Sequence, residues 1–351
     1  MYPRLLINQE KFEANLAFAQ KALKRSGVSF TFVTKCFCAM SKLSEISMPY
    51  VDSFGDTRAD NLKILPNKPK IMMRLPMPDE AAAVVSNADM SLNSELETVA
   101  ALDNAARAQG IVHGVIVMVD LGDLREGYFC VDEMLNAAAE IQKMKNIHIA
   151  GIGVNLSCFG GVIPEIWHME QLIDHADKLE KLLGSKLNIV SGGNSSSLKF
   201  IFEGTMPRGI NNLRIGEAIL NGQDPSTGNF YSGMNNDVFT FECTVIEVKD
   251  KPSVPLGETG LNAFGKQPIV VRDRCVRRRA ILAAGLQDVE PEGLTPLNPS
   301  HIVLGASSDH LIVDVHDGGE PLRVGSRLRF NCSYPAILRA CTSEYVEKDF
   351  V

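Results

Sequence analysis

The chain has 351 residues, of which 45% are hydrophobic and 22% charged, with a formal net charge of −7. That length accommodates two domains, and the composition is that of a globular protein rather than a disordered one. Acids and bases are interspersed, which argues against nucleic acid as a partner, and no apolar run is long enough to cross a membrane as a helix.

The opening Met1-Tyr2-Pro3-Arg4 lacks the layout of a signal peptide. The eight cysteines are scattered, Cys36 and Cys38 form C-x-C rather than C-x-x-C, and no cysteine–histidine spacing fits a zinc site. These features predict a cytoplasmic protein with reduced thiols and no bound metal. Phe12, Leu16, Ala19 and Leu23 recur at helical spacing, with Asn8 placed to cap the start and Gly27 to stop the end.

Phe30-Thr31-Phe32-Val33-Thr34 then reads as a short buried strand that runs into Lys35. An ammonium at the end of a buried strand is costly unless something uses it. A desolvated lysine is a nucleophile for Schiff-base chemistry, and a lysine snorkelling from a strand end is the alternative. A regular rhythm follows. Strands are expected over 51–55, 70–74, 89–92, 115–119, 147–153, 187–190 and 213–216, and helices over 57–65, 79–86, 95–108, 131–143 and 164–183. Strands alternating with helices predict parallel βαβ units, and eight of them favour an N-terminal (β/α)8 TIM-like barrel, which we place over 8–225. Lys35, Arg74, Asp120, Asn155, the 191–197 run and Arg214 all fall at or just after strand ends, so a barrel gathers them on the face where active sites lie.

The texture changes after Gly222. Residues 224–236 are rich in Gly, Ser, Asn and Pro and read as a linker. Short alternating runs at 239–248, 268–271, 280–284, 301–304, 311–315 and 327–330, with no convincing long helix, predict a C-terminal all-β domain over 230–351. Residues 1–7 fit either domain.

Three strand-end segments carry chemistry. Ser191-Gly-Gly-Asn-Ser-Ser-Ser197 combines glycines for close backbone approach with hydroxyls and a helix start, which suits an anion; a flexible polar loop is the alternative. Arg214 lies on a strand expected to be buried, so it needs an acceptor, either Glu217 or another carboxylate, or a cofactor atom. Asp120-Leu-Gly-Asp-Leu-Arg125-Glu-Gly127 offers an arginine that can fork onto a substrate carboxylate or pair locally with Asp120, Asp123 or Glu126.

At these places the sequence resembles the fold-type III pyridoxal-phosphate enzymes, the alanine racemase superfamily, over nearly the whole chain and most closely its ornithine racemase-like branch. Val33-Thr-Lys35 resembles the strand-one motif whose lysine binds the cofactor covalently. The 120–127 segment resembles Asp-Thr-Gly-Met-x-Arg-x-Gly, whose arginine faces the substrate carboxylate, a role that falls on Arg125. Ser191, Gly193, Asn194, Ser195 and Ser196 lie where the family has its phosphate loop. Arg214-Ile-Gly216 resembles Arg-x-Gly, whose arginine bonds the pyridine nitrogen and whose following backbone touches the phosphate. Further on, Gly305-Ala-Ser-Ser-Asp309-His310-Leu-Ile-Val-Asp-Val315 resembles Gly-Arg-Val-Ser-Met-Asp-Gln-x-x-Val-Asp, and Thr342-Ser-Glu-Tyr345 resembles the segment that supplies a tyrosine to the phosphate.

There are departures. Ala39 stands where alanine racemases have a tyrosine four residues after the lysine. Met118 corresponds to their modified lysine, and Asn155 to the histidine under the pyridine ring. Gly257-Glu258-Thr-Gly260 is the nearest counterpart of the segment with the partner subunit's catalytic tyrosine, and it has no tyrosine. The resemblance therefore implies a racemase for ornithine or another non-alanine, basic amino acid, dependent on pyridoxal 5′-phosphate and working as a homodimer with shared active sites. Lys35 is expected to act on one face of the α-carbon, and Glu258, Asp309 or His310 of a second subunit on the other. Asp123 or Glu126 suits a distal substrate ammonium. The alternatives are a decarboxylase, a D-amino-acid aldolase or dehydratase, and a non-catalytic handler of the cofactor. The aldolase and dehydratase branch has a histidine/cysteine metal pair that is not apparent here, and single-domain cofactor handlers lack a second domain.

Overall fold

Short, largely buried strands, each followed by a helix, close into a ring in the computed structural model, which describes residues 3–265, 273–319 and 321–351. The chain opens with β1 (Arg4–Ile7), α1 (Gln9–Arg25), β2 (Ser29–Val33), α2 (Ser41–Ser47), β3 (Ser53–Asp56) and α3 (Ala59–Ile64). It continues through β4 (Lys70–Met72), α4 (Ala81–Asn87), β5 (Met90–Asn93), α5 (Leu96–Gln109), β6 (His113–Val119) and α6 (Val131–Ile141). Next come β7 (Ile147–Val154), α7 (Ile166–Leu183), β8 (Ile189–Ser191), α8 (Leu198–Glu203), β9 (Asn212–Ile215) and α9 (Glu217–Asn221).

Strands β2 to β9 form a closed barrel in sequence order. Neighbours are parallel, and β9 returns to β2 with Thr31 opposite Arg214 and Phe32 opposite Ile215. All seven residues of β6 are buried, as expected of a parallel strand covered on both faces. Ile71, Leu92, Ile116 and Met118 form an apolar cluster. The expected (β/α)8 architecture is therefore observed.

The structure divides into two units, residues 13–235 and residues 1–12 with 236–351. Residues 224–235, which composition marks as a linker, are folded onto the barrel unit. Asn15 donates to the carbonyls of Ile219 (3.0 Å) and Asn235 (2.9 Å), Gln223 bridges to Phe230, and Tyr231 donates to Ser195 O at 2.9 Å.

The other unit contains β10 (Phe239–Pro252), β11 (Val276–Leu282), β12 (Leu294–Pro296), β13 (Ile302–Ala306), β14 (Leu311–Asp314), β15 (Arg327–Cys332), α10 (Tyr334–Thr342) and β16 (Glu347–Phe350). Among the described residues its strands run in the order β12-β15-β10-β11-β14-β13, antiparallel, and β1 pairs with both β10 and β16. The expected strand over 268–271 lies outside the described residues. This is the expected all-β architecture, and the short helix α10 accompanies its sheet. Pro335 fits its first turn, where a proline lacks only an N–H that has no partner there anyway. Ala336, Ile337, Ala340 and Cys341 give α10 a buried face.

Candidate active site

Lys35 opens a 3-10 turn, Lys35–Phe37, because β2 ends at Val33 and not at the lysine. Its side chain is exposed, the snorkelling arrangement that the sequence left open beside a desolvated ammonium: the strand that leads to it is buried, but the turn lifts it clear. The turn is held from behind. Thr34 donates to Asp56 Oδ2 at 2.6 Å, and buried Asp56 also accepts from Thr57 N, Arg58 N and Asn61 Nδ2. Burial pushes the Asp56 carboxyl up, against the pull of these four hydrogen bonds. Beyond Lys35, Cys38 and Ala39 both lie in the left-handed region at φ 52° and 51°, a conformation that costs non-glycine residues about 1–2 kcal/mol each.

Arg214 lies on β9 and is 1% exposed. Its Nη2 donates to Val154 O (2.6 Å) and Asn155 Oδ1 (2.8 Å), and its Nη1 to Ser191 Oγ. Glu217 is not among these partners. Ser191 passes the network on to Asn212 Oδ1 at 2.6 Å, and Asn212 donates to Thr31 Oγ1 (2.9 Å) and Ser29 Oγ (3.0 Å). Gly153 makes room for the guanidinium, since a Cβ there would sit 3.1 Å from Nη1 and 3.3 Å from Met118 Sδ. Arg214 Nε is buried with no partner. Burial brings the guanidinium down to about 10, with Glu126 and Cys158 pulling it up and Arg125 pushing it further down.

Arg125 comes from the loop after β6. Asp120 shapes that loop by accepting from Gly122 N (2.9 Å) and Leu124 N (3.1 Å). Gly127, at φ 123°, returns the chain to β6 so closely that a Cβ would meet Val119 C at 2.5 Å. Arg125 pairs with Glu126, and Glu126 in turn accepts from Asn155 Nδ2. A continuous polar chain thus runs from Arg125 through Glu126 and Asn155 to Arg214. Burial opposes the charge on Arg125, but Cys158, Glu126 and Asp123 outweigh it and hold the group above its ordinary value. Asp123 is 1% exposed and accepts from the backbone of Cys158, Phe159 and Val162. Neither acid suggested for a distal ammonium therefore stands unpartnered.

The 191–197 loop is ordered by its own side chains. Gly193 adopts φ 106°. Asn194 accepts from Ser196 N (2.9 Å) and Ser196 Oγ (2.8 Å) and donates to Leu156 O. Ser195 Oγ accepts from Gly216 N (3.3 Å) and Ala218 N (3.2 Å), so the loop and the start of α9 form one cradle. Glu217 opens α9. Burial pushes its carboxyl up to about 7, against a hydrogen bond from Asn221 and the nearby Lys35 ammonium, with Asp224 pushing it further up.

The barrel unit thus brings Lys35, Arg125, Asn155, Ser191, Gly193, Asn194, Ser195, Ser196, Arg214 and Gly216 to one end of the strands. The remaining candidates lie on the other unit, all exposed: Glu258 between β10 and β11, Asp309 and His310 paired at 2.7 Å between β13 and β14, and Tyr345 after α10. Sequence reasoning missed Asp56, Cys158, Asn212 and Tyr231. Only Asp56 left a trace, as a carboxylate ending a strand.

A (β/α)8 barrel with a lysine after its first strand and a buried arginine on its last, in a chain that also forms a second sheet-rich unit, defines a class of protein. Residues 7–223 match the family described as alanine racemase, N-terminal domain. The chain is 45% identical to an ornithine racemase from Acetoanaerobium sticklandii, over 100% of both chains. It is 38% identical to a lysine racemase from Thermotoga maritima, over 99% of this chain and 98% of that one. A D-threonine aldolase structure from Filomicrobium marinum shares the fold with a TM-score of 0.74 at 14% identity, covering 98% of this chain and 90% of that one. An alanine racemase from Bartonella henselae with covalently bound pyridoxal phosphate gives 0.72 at 16% identity, covering 99% of each. The chain belongs to the alanine racemase family.

Proposed function

We propose that this protein is an amino-acid racemase that uses pyridoxal 5′-phosphate and acts on a basic amino acid, with ornithine and lysine as the leading substrates. The observation that carries the cofactor is the orphaned Arg214 Nε, a buried donor with no acceptor in the chain. Buried donors are rarely left unpaired, and a pyridine nitrogen is a fitting acceptor. The 191–197 loop with Gly216 supplies backbone and hydroxyl groups for a phosphate, and Lys35 supplies the amine for a carbonyl carbon. The substrate class rests on the 45% and 38% identity to an ornithine and a lysine racemase.

When bound, the cofactor draws electron density from the α-carbon of an amino acid and makes its proton acidic. The chain's own residues do the rest. Arg214 would hold the ring nitrogen as a hydrogen-bond donor that keeps its own proton. Asn155 holds Arg214 at one end and Glu126 at the other, and Glu126 orients Arg125 toward the substrate carboxylate. Lys35 takes or returns the α-proton on its own face. The family resemblance supports Tyr345 as a phosphate ligand and a cytoplasmic homodimer, and the sequence offers Glu258, Asp309 and His310 as candidates for the proton donor on the other face.

The test supplies pyridoxal phosphate and L-ornithine, L-lysine, L-arginine, L-alanine and L-serine in deuterated water, following α-proton loss by NMR and configuration by chiral chromatography. Exchange with inversion on ornithine or lysine is expected. A protein that binds the cofactor and inverts none of them is not a racemase of this class.

A further inference from the structure

The loop after β7 carries a side chain that the mechanism above leaves idle. Cys158 is exposed, yet its position is fixed from several sides. Asp123 accepts from the backbone N–H groups of Cys158 (3.1 Å), Phe159 (3.0 Å) and Val162 (3.2 Å), and Ser157 takes a left-handed φ of 67° to turn the chain. Asn194, from the 191–197 loop, donates to the Cys158 sulfur at 3.1 Å. The sulfur is close enough to Arg125 and to Arg214 to act on the charge of both. Arg214, whose charge the sulfur influences, carries the buried, unpartnered Nε given above to the cofactor ring, so the thiol belongs to the same ligand site.

Topology sets the direction of approach. Lys35 follows β2, Cys158 follows β7 and Arg125 follows β6, so the closed ring places the lysine on one side of the barrel mouth and the thiol and Arg125 on the other. An amino acid with its carboxylate on Arg125 and its amino end toward Lys35 lies between the two.

We propose that Cys158 is a catalytic residue, the thiol that exchanges a proton with the substrate α-carbon on the face turned away from Lys35. This rests on the racemase reading above, and it gives Cys158 the role the sequence suggested for Glu258, Asp309 or His310. In one direction Lys35 accepts the α-proton as its C–H bond breaks, and the Cys158 S–H delivers its proton as the new C–H bond forms on the other face. The thiolate and the lysine ammonium return to their starting forms by trading one proton through solvent. The opposite direction starts from thiolate as base and ammonium as acid.

The test uses Cys158→Ser and Cys158→Ala, each loaded with pyridoxal phosphate, in deuterated water with L- and with D-ornithine. We expect the absorption band of the lysine-bound cofactor to be unchanged and inversion to fall by about 100-fold or more, the usual contribution of one acid–base group. One enantiomer continues to exchange its α-proton with retention, because Lys35 still serves its own face. In the parent enzyme, iodoacetamide labels Cys158 and abolishes inversion, and ornithine slows the labelling. Inversion at the parental rate in both variants overturns the proposal. So does an equal loss of exchange from both enantiomers, the mark of a thiol that only supports the loop. A parent enzyme that binds cofactor but inverts neither ornithine nor lysine fails one step earlier, at the racemase reading itself.

Discussion

Replacing Glu126 by glutamine removes one charge and keeps the shape of the side chain. Glu126 is 14% exposed and pairs with Arg125, whose side chain is 36% exposed. It also accepts from Asn155, which holds Arg214. Burial has already brought Arg214 down from the ordinary guanidinium range to about 10, equivalent to about 3 kcal/mol lost from its charged form at 1.36 kcal/mol per pH unit. At neutral pH the group stays charged, and the nearby carboxylate makes that tolerable. Removing one partner of a fully buried pair costs about 3–5 kcal/mol, and solvent at the Arg125 end reduces this to about 2 kcal/mol here. For a unit of this size that lowers the unfolding midpoint by about 4–8 °C. Arg125 also loses its support, so KM for the amino acid should rise by about tenfold, the equivalent of 1.4 kcal/mol, with a smaller change in kcat. Thermal unfolding at pH 7 and steady-state racemisation of ornithine read the two effects. An unchanged midpoint together with an unchanged KM would refute the polar chain from Arg125 to Arg214.

Three further predictions follow from other parts of the barrel. Buried His113 bonds Ser91 Oγ at 2.9 Å, and burial lowers it to about 4. Its folded value lies below its unfolded 6.5, so its stability contribution is complete above pH 6.5 and declines as the pH falls toward 4, by about 3 kcal/mol; urea unfolding of His113→Asn against the parent should show a smaller loss across that window. Gly127→Ala places a Cβ 2.5 Å from Val119 C at a positive φ, and should cost about 3 kcal/mol and raise KM through Arg125, as unfolding and kinetics would show. Tyr231→Phe removes the bond to Ser195 O and should weaken pyridoxal phosphate binding by about fivefold, the worth of about 1 kcal/mol, measured by fluorescence titration.

Lys35, Arg125 and Arg214 were legible in the sequence because each is a charged residue at a strand end or in an expected core, where a charge calls for a reason. The barrel was legible because its strands and helices have different hydrophobic periods. What supports these residues was not. The Glu126–Asn155 link joins positions 29 apart, and the Asn212 network ties β9 to β2 across 181 positions, contacts that exist only once the ring has closed. Tyr231 lies in a stretch whose glycine, serine and asparagine content marks it as a linker, and composition carries no sign of the hydrogen bond it makes. Whether Lys35 is buried or exposed stayed open in the sequence because the strand ends two residues before it, a boundary that depends on Thr34 turning to Asp56. Cys158 passed unnoticed because a single cysteine after a strand has no motif of its own; its neighbours reach it from β6, β8 and β9.

The central claim is that Lys35 carries the cofactor, and one measurement addresses it directly. The protein is loaded with pyridoxal phosphate, reduced with borohydride, digested and mapped by mass spectrometry, with Lys35→Ala treated in parallel. The account predicts a phosphopyridoxyl group on the peptide containing Lys35, at one group per chain, and none on the variant. A label on another lysine, or equal labelling of the variant, would contradict it.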